Sequence, residues 1–327
     1  MACPCFKNTF NVPAQPSDTV NQNSTSVSVP SHHAGAREWV PEFVLLALLW
    51  GSSFLFMREG AQEFGPFPTA WVRITLAALM LTPVLIWQGQ VTILRSHWRP
   101  VMSSGLLNAG IPFACYAYAL MHISTGLSSI MNATTPLFGA LIAWVWLGDR
   151  LNALRALGLA LGFGGVVMLA VGVPGGVSFK EGGSGWAVCA CLLATFCYGV
   201  AGSFTKRYLQ NVPTLVTTTG SLWGASIGLT LPALLSWPTD WPTSHAWLAL
   251  GIAGLLCTAL AYVLYFRLMT RTGPARAMTV TYLIPIFANL FGVIFLEEVV
   301  TQAMLGYGLL IVLGTALASG LIRHKTN

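Results

Sequence analysis

The chain has 327 residues, of which 55% are hydrophobic and 8% are charged. Soluble globular proteins carry about 25% charged residues. A single folded core stops growing at about 250–300 residues, so a water-soluble fold of this chain could not bury this much apolar surface. The formal charge of +6 comes from 16 basic residues spread along apolar segments, a pattern that excludes a nucleic-acid-binding patch. The composition predicts an integral membrane protein.

Residues 1–38 are predicted to form a disordered polar tail on the cytoplasmic side. The stretch 8–36 is rich in Ser, Thr, Asn, Gln and Pro and lacks the apolar region of a cleaved signal. Cys3 and Cys5 lie in this tail, where a metal or lipid role is a minor alternative. The other five cysteines fall inside apolar runs, where thiols pack as hydrophobic side chains. We therefore predict no disulfide framework, no metal site and no cofactor.

After Trp39 the chain consists of apolar runs of about 20 residues, the length that crosses a hydrocarbon core about 30 Å thick. Short connections join the runs, so no sizeable soluble domain is predicted. The predicted spans are 41–57, 68–87, 101–121, 126–147, 151–173, 185–205, 214–236, 246–268, 275–296 and 302–322. The expected fold is all-α, with ten transmembrane helices.

The distribution of basic residues predicts the direction of these spans. With ten spans, 13 of the 16 Lys and Arg residues fall on the side of both termini, and the other three are Arg58, Arg73 and Lys180. Loops rich in Lys and Arg remain in the cytoplasm, so both termini are predicted to be cytoplasmic. The expected location is the cell membrane, as a multi-pass protein of a bacterial cytoplasmic (inner) membrane.

An internal repeat divides the chain into two halves of five spans, 39–173 and 184–322. The segment "LLWGSSFLFMRE" (48–59) lies on "FCYGVAGSFTKR" (196–207) at a shift of 148 residues. At a shift of 149, "TPLFGALIAWVWLGD" lies on "IPIFANLFGVIFLEE", which pairs Pro136 with Pro285 and Asp149 with Glu298. Because five is odd, the second half must run upside down. Inverted-topology repeats are typical of transporters, in which each half can adopt the conformation that the other has left.

These features resemble the drug/metabolite transporter (DMT) superfamily, specifically its EamA type, over about residues 41–322. The resemblance rests on the "LLWGSSF" start, on Arg73 after "PFPTAW", and on two segments ending "LGD" and "LEE" that precede glycine-rich spans. The second half departs from the pattern, because it has "LEE" where "LGE" is expected. The resemblance implies export, less often uptake, of a small-molecule substrate through a central cavity.

Pro136 and Pro285 are the predicted helix breaks or hinges, since transporters of this kind place substrate at interrupted helices in matching positions of the two halves. Proline lacks the N–H that would bond the carbonyl four residues back, so the carbonyls of Asn132 and Thr281 are predicted to lose a partner. A stripe of small and polar residues along the fourth span is either a tight helix interface or a cavity wall. It consists of Ser128, Asn132, Thr135, Gly139 and Ala143.

The remaining substrate-binding candidates are polar or aromatic side chains inside spans. For each aromatic alone, packing against lipid or another helix is the commoner role, except for Trp50, which stands among small and polar residues and for which neither role is favoured. Arg73 either holds a carboxylate or phosphate of the substrate or extends outward to pair with Glu59 or Glu63, and the outward pairing is slightly favoured. The full candidate set is Trp50, Ser52, Ser53, Arg73, Asn108, Tyr116, Asn132, Thr135, Tyr198, Trp223, Tyr262, Thr281 and Asn289.

No Asp or Glu falls in the middle of a predicted span, so gradient-driven facilitation or exchange is favoured over proton coupling. Glu42 and His122 are the remaining candidates for a titrating group. The glycines at 220, 224 and 228 either pack helices within the chain or form a homodimer face.

The predicted function is secondary transport of a small metabolite, amino-acid-like or a related polar or amphipathic solute, by alternating access and in the export direction. One alternative is a flippase for a lipid-linked substrate, which would need a cleft open to the bilayer. Another is a lipid-modifying membrane enzyme, which would need a clustered acid, base or metal site. The substrate, the driving ion and the oligomeric state are left undecided by the sequence.

Overall fold

The computed structural model describes residues 39–172, 179 and 184–320, and every regular element in this part of the chain is helical. The predicted tail 1–38, with Cys3 and Cys5, lies outside the described residues. So does Lys180.

The first half begins with two long helices that meet at Gly65, whose φ of +76° suits glycine because it lacks a Cβ. A π-helical turn, Leu106–Gly110, joins α4 to α5, and a second one, Ala143–Leu147, follows α7. The helices are α1 Val40–Phe64, α2 Pro66–Trp87, α3 Val91–Ser96, α4 Trp98–Gly105, α5 Ile111–Leu120, α6 Thr125–Asn132, α7 Thr135–Ile142 and α8 Ala153–Gly172.

The second half repeats this order with local differences. A π-helical segment, Leu255–Leu260, joins α11 to α12, and it begins 149 residues after the first such turn, which is the shift of the sequence repeat. A short 3₁₀ segment, Thr279–Tyr282, precedes α14. The helices are α9 Ser184–Tyr208, α10 Thr214–Leu235, α11 Ser244–Gly254, α12 Ala261–Thr272, α13 Pro274–Met278, α14 Ile284–Leu296 and α15 Gln302–Ala318.

Seven helical stretches among the described residues are long and apolar enough to cross a membrane. They are Val40–Phe64, Pro66–Trp87, Thr125–Leu147, Ala153–Val171, Ser184–Tyr208, Ser244–Thr272 and Arg276–Leu296. At 17 residues, α15 falls below that length. Residues 98–120 include Arg99, Asn108 and two prolines, and residues 214–235 contain many Ser, Thr and Gly residues, all of which lower the hydropathy of these helices.

Both proline sites coincide with interruptions in the helices. Residues 133 and 134 form a turn between α6 and α7, and Pro136 lies in the first turn of α7, where a missing N–H costs no helical hydrogen bond. Pro285 occupies the same place in α14. The Asn132 carbonyl accepts a hydrogen bond from the Thr135 hydroxyl at 2.8 Å. This carbonyl therefore has no N–H donor at residue 136, and the hydroxyl of a threonine three residues on takes the place of that donor.

Glycines allow the closest helix contacts, and these contacts lie within the chain. A Cβ added at Gly158 of α8 would lie 2.7 Å from the Gly314 carbonyl oxygen of α15. On α10, Gly220 faces Val101, and Gly224 faces the Met102 backbone. These two glycines of α10 therefore pack against α4 of the same chain. This contact explains the glycines without a homodimer interface.

Candidate substrate-binding site

Arg73 is buried among helices, with 4% of its surface exposed. Its Nε donates a hydrogen bond to the Thr258 hydroxyl at 2.9 Å, and Nη1 lies 3.2 Å from the Met57 sulfur. The guanidinium carbon lies 4.1 Å from the centroid of the Phe113 ring, a cation–π geometry. Helices from both halves of the chain therefore surround this charge.

The prediction that Arg73 extends outward to Glu59 or Glu63 is wrong. Glu63 accepts hydrogen bonds from the Thr243 amide and hydroxyl at 2.6 and 2.7 Å. Its negative charge therefore lies at the N-terminus of α11, where the helix dipole stabilises it. Glu59 lies 3.7 Å from His245. Within the described ranges, no carboxylate lies within ion-pair distance of Arg73. The guanidinium is thus held by a hydroxyl, a sulfur and an aromatic face.

The π-helical segment after α11 positions Thr258 for this contact. The Thr258 hydroxyl also donates to the Ala253 carbonyl, five residues back, at 2.8 Å. The same oxygen can therefore accept the proton of Arg73 Nε. Sequence reasoning missed Thr258, Met57 and Phe113. One feature of the sequence pointed to Thr258, which is a polar residue inside a strongly apolar span. Helical periodicity does not predict which face of the span carries Thr258, because a π turn shifts the register of the helix.

Several predicted candidates surround Arg73. Tyr198 and Tyr262 lie near enough to the guanidinium to interact with its charge, and the Asn108 side chain lies near the Tyr262 hydroxyl. Asn108 and Thr258 come from the two π-helical segments that the repeat shift relates. We call Arg73, Asn108, Tyr198, Thr258 and Tyr262 the Arg73 cluster.

A line of aromatic and amide groups connects this cluster to the interruption between α6 and α7. Tyr198 stacks on Tyr116 with ring centroids 6.4 Å apart and an interplanar angle of 26°. The Tyr116 hydroxyl, in a side chain that is 2% exposed, donates to Asn132 Oδ1 at 2.9 Å. The Thr135 hydroxyl then bonds the Asn132 carbonyl. Candidates from α5, α6, α7 and α9 therefore lie in one connected set.

Other candidates have local partners and are not part of this set. The Ser52 and Ser53 hydroxyls donate to carbonyls of their own helix at 3.1 and 2.8 Å, and the Thr281 hydroxyl donates to the Met278 carbonyl at 2.8 Å. The Trp223 indole donates to Thr82 at 3.0 Å, and the Asn289 amide donates to the Pro285 carbonyl at 2.7 Å. Trp50 packs against Tyr265 with ring centroids 5.4 Å apart.

Two cavities open beside the candidate residues, and Arg73 lines neither of them. One of about 330 Å³ is lined by Pro136, Gly139, Asp149 and Thr281 among others, and extends along α7 from its first turn to the loop after it. The other, of about 350 Å³, is lined by Ser52 together with groups on α1, α11 and α14. None of the residues of the Arg73 cluster lines either cavity in this conformation.

Of the two predicted titrating groups, Glu42 is held in a charged contact. Its Oε1 accepts from Arg267 at 2.9 Å and from Arg271 at 3.1 Å. His122 packs edge-on against Tyr118, with ring centroids 4.7 Å apart. Both lie near helix ends, away from Arg73.

The sequence matches the EamA-like transporter family over residues 39–171 and 185–320. The chain belongs to this family. As a member with several apolar helices, it is a multi-pass transporter of the bacterial cell membrane. The resemblance stated from the sequence is confirmed.

Curated relatives are similar over most of their length. An uncharacterized transporter, YvbV, of Bacillus subtilis is 25% identical over 84% of this chain and 89% of its own. An uncharacterized inner membrane transporter, YedA, of Escherichia coli K12 is 24% identical over 76% of this chain and 79% of its own. A protein described as a probable terminal-alkyne amino-acid exporter, from Streptantibioticus cattleyicolor, is 26% identical over 84% of this chain and 91% of its own.

A solved crystal structure of a protein at 22% identity supports the fold. Its TM-score is 0.62, and the match covers 88% of this chain and 99% of that one. At this identity the likeness concerns the fold alone.

Proposed function

We propose that this EamA-like protein is a secondary transporter that exports a small amphipathic metabolite bearing a carboxylate, of the amino-acid class. The carboxylate binds at the Arg73 cluster. The observation that carries this proposal is a guanidinium that is 4% exposed and has no acidic partner among the described residues.

A buried charge without a counter-charge is costly, by several kcal/mol after relaxation. Thr258, Met57 and Phe113 offset part of that cost, and none of them carries a charge. A guanidinium has five N–H donors in a planar fork that matches a carboxylate, so a bound substrate would supply the missing anion. An ionisable side chain inside a membrane protein is a functional-site hypothesis by default.

The surroundings of Arg73 favour an amphipathic substrate. Phe113, Tyr198 and Tyr262 offer aromatic surface beside the charge, while Asn108 offers an amide. The similar protein from Streptantibioticus cattleyicolor is named an amino-acid exporter, which is consistent with a carboxylate-bearing substrate at 26% identity.

The proposed mechanism is alternating access by ten spans in two inverted halves, 39–173 and 184–322, with both termini cytoplasmic. Arg73 lines neither cavity here, so substrate reaches it only after helices move. The interruptions at Pro136 and Pro285 provide matching places for that movement. No carboxylate lies beside Arg73 in the described part of the chain, which favours exchange or facilitation over proton coupling. The 1–38 tail takes no part in this proposal.

Counterflow in proteoliposomes tests the function. The panel contains amino acids, small organic acids, amines and nucleosides, with and without a pH gradient. We expect exchange of one or more carboxylates without a gradient. Arg73→Gln should raise the half-saturation concentration of these carboxylates by about 10- to 100-fold, because a hydrogen bond to a charged group contributes roughly 1.5–3 kcal/mol.

Arg95→Gln is the matched control, since Arg95 is exposed on the short helix α3. Equal exchange by Arg73→Gln and the unaltered protein would contradict the carboxylate assignment. Silence across the panel with folded protein would favour the alternative of a lipid-linked substrate, and then a lipid-modifying enzyme.

A further inference from the structure

Two ion pairs join the halves of the chain at positions that the repeat relates. Arg58 of the first half pairs with Glu298 of the second, and Lys206 of the second pairs with Asp149 of the first at 2.9 Å. Arg58 corresponds to Lys206 at the shift of 148, and Asp149 corresponds to Glu298 at the shift of 149. One contact has therefore been made twice, with the roles of the halves exchanged.

The two pairs lie at opposite ends of the helices. Thr125, the first residue of α6, contacts Glu298, whereas Asp149 follows the helical stretch that begins at Thr125. That stretch has 23 residues, which at 1.5 Å per residue separates its ends by roughly 30 Å. The two pairs thus lie at opposite ends of this stretch. We call the Arg58–Glu298 pair the Glu298 gate and the Lys206–Asp149 pair the Asp149 gate.

Matching backbone turns direct both carboxylates. Gly148 and Glu297 have positive φ, and the next residue in each case donates its N–H to the carbonyl six residues back. Those bonds run from Asp149 to Ala143 and from Glu298 to Gly292, at 3.2 and 3.0 Å. In both halves a wide hydrogen-bonded turn at the end of the helix therefore precedes the carboxylate side chain.

The Glu298 gate has additional bonds. Glu298 Oε1 accepts from the Thr125 amide at 2.8 Å, and Oε2 accepts from the Thr125 hydroxyl at 2.7 Å, so the charge lies at the N-terminus of α6. A Cβ at Gly292 would meet this carboxylate. The Arg58 and Glu298 side chains are 29% and 10% exposed, so this gate is more shielded from solvent than the Asp149 gate.

The Asp149 gate is weaker. Its side chains are 60% and 42% exposed, and the helix that corresponds to α6 begins at Pro274, whose nitrogen carries no hydrogen to donate. Asp149 also lines the 330 Å³ cavity that reaches Pro136. Exposed ion pairs contribute about 0–1 kcal/mol, so little free energy holds this end closed.

We propose that the two ion pairs are reciprocal gates of the transport cycle, and that their unequal strength makes the Asp149 end the one that opens more readily. This rests on the proposed function only through alternating access. Arg58, Glu298, Lys206 and Asp149 are positioning residues that control access to the Arg73 cluster and do not contact substrate.

The test measures access to each end without any substrate. Ser53→Cys and Ala201→Cys are matched reporters, since each lies five residues inside its gate and they correspond at the shift of 148. Both positions are nearly buried, at 6% and 2% exposure. The full chain is placed in lipid nanodiscs, treated with a hydrophilic maleimide, and read at each position by peptide mass spectrometry.

Glu298→Gln should raise the labelling rate of the Ser53→Cys reporter by about tenfold or more and leave that of the Ala201→Cys reporter unchanged, because a shielded ion pair is lost. Asp149→Asn should raise labelling of the Ala201→Cys reporter by about two- to threefold, in line with an exposed pair. Arg58→Gln keeps the Glu298 bonds to Thr125 and serves as a milder variant if Glu298→Gln does not fold.

Unchanged labelling of the Ser53→Cys reporter in both folded variants, Glu298→Gln and Arg58→Gln, would overturn the proposal, as would equal responses at both reporters. Counterflow is measured separately on the same variants. If labelling follows the prediction while no panel compound is exchanged, the gates stand and the proposed substrate class fails.

Discussion

Thr258 offers a sharp test of the Arg73 cluster, because its hydroxyl is the one neutral oxygen bonded to the guanidinium among the described residues. Thr258→Val keeps the shape of the side chain and removes both the acceptor for Arg73 Nε and the donor to Ala253. The bond to the charged group contributes roughly 1.5–3 kcal/mol and a neutral one about 1 kcal/mol. The first loss should appear mainly in substrate binding and the second in stability.

We expect Thr258→Val to raise the half-saturation concentration of a carboxylate substrate by about tenfold, since 1.4 kcal/mol corresponds to a factor of ten. Thr258→Ser keeps the hydroxyl and should retain near-normal binding. The assay is counterflow at several substrate concentrations, with a thermal melt in detergent as the measure of folding.

Thr230→Val is the matched control. Its hydroxyl accepts from the Trp71 indole at 3.2 Å and donates to the Ser226 carbonyl at 2.9 Å, so the same two kinds of bond are lost without a charged partner. Unchanged half-saturation in folded Thr258→Val would refute the reasoning. An equal loss in Thr230→Val would also refute it, because the effect would then be one of packing.

Three further predictions concern the helix interruptions, a helix end and a glycine contact. Pro136→Ala and Pro285→Ala should each lower the initial counterflow rate more than the amount of folded protein, because a continuous helix removes the place where the chain bends; normal rates in both would contradict this. Glu297→Gly should raise stability by about 1 kcal/mol in a denaturation series, since its φ of +53° is strained for a residue with a Cβ; an unchanged midpoint would contradict it. Gly158→Ala should lower stability by roughly 1–3 kcal/mol through overpacking, whereas Gly139→Ala, which meets no atom within 4 Å, should not; equal melts would count against the α8–α15 contact.

The lengths of the apolar runs and the internal repeat predicted the all-helical membrane class of the fold, because both are properties of the chain itself. The interruptions near Pro136 and Pro285 follow from the missing N–H of proline. The correspondence of Asp149 and Glu298 follows from the repeat shift. The membrane class follows from a composition with 8% charged residues.

The candidate site was harder to predict, because its geometry depends on helix rotation and register. Arg73 was expected to reach outward, and the sequence does not contain the information that Glu63 is already bonded to Thr243. Thr258 was missed because a π turn moves it off the expected helical face. The Asn132 carbonyl was expected to lose the N–H of residue 136, but the Thr135 hydroxyl that bonds it instead was not foreseen.

The contact between α8 and α15 has a mechanical consequence. Gly158 and Gly162 meet Gly314 with no side chain between the two backbones, so the two helices are in direct backbone contact along this face. These are the final helices of the two halves, and their contact ties the halves together at one fixed seam. If this close contact is kept during transport, we expect the remaining helices to rock about this seam. A pair of spin labels on α8 and α15 should therefore keep a constant separation throughout turnover and provide an internal distance standard against which every other helix movement can be measured.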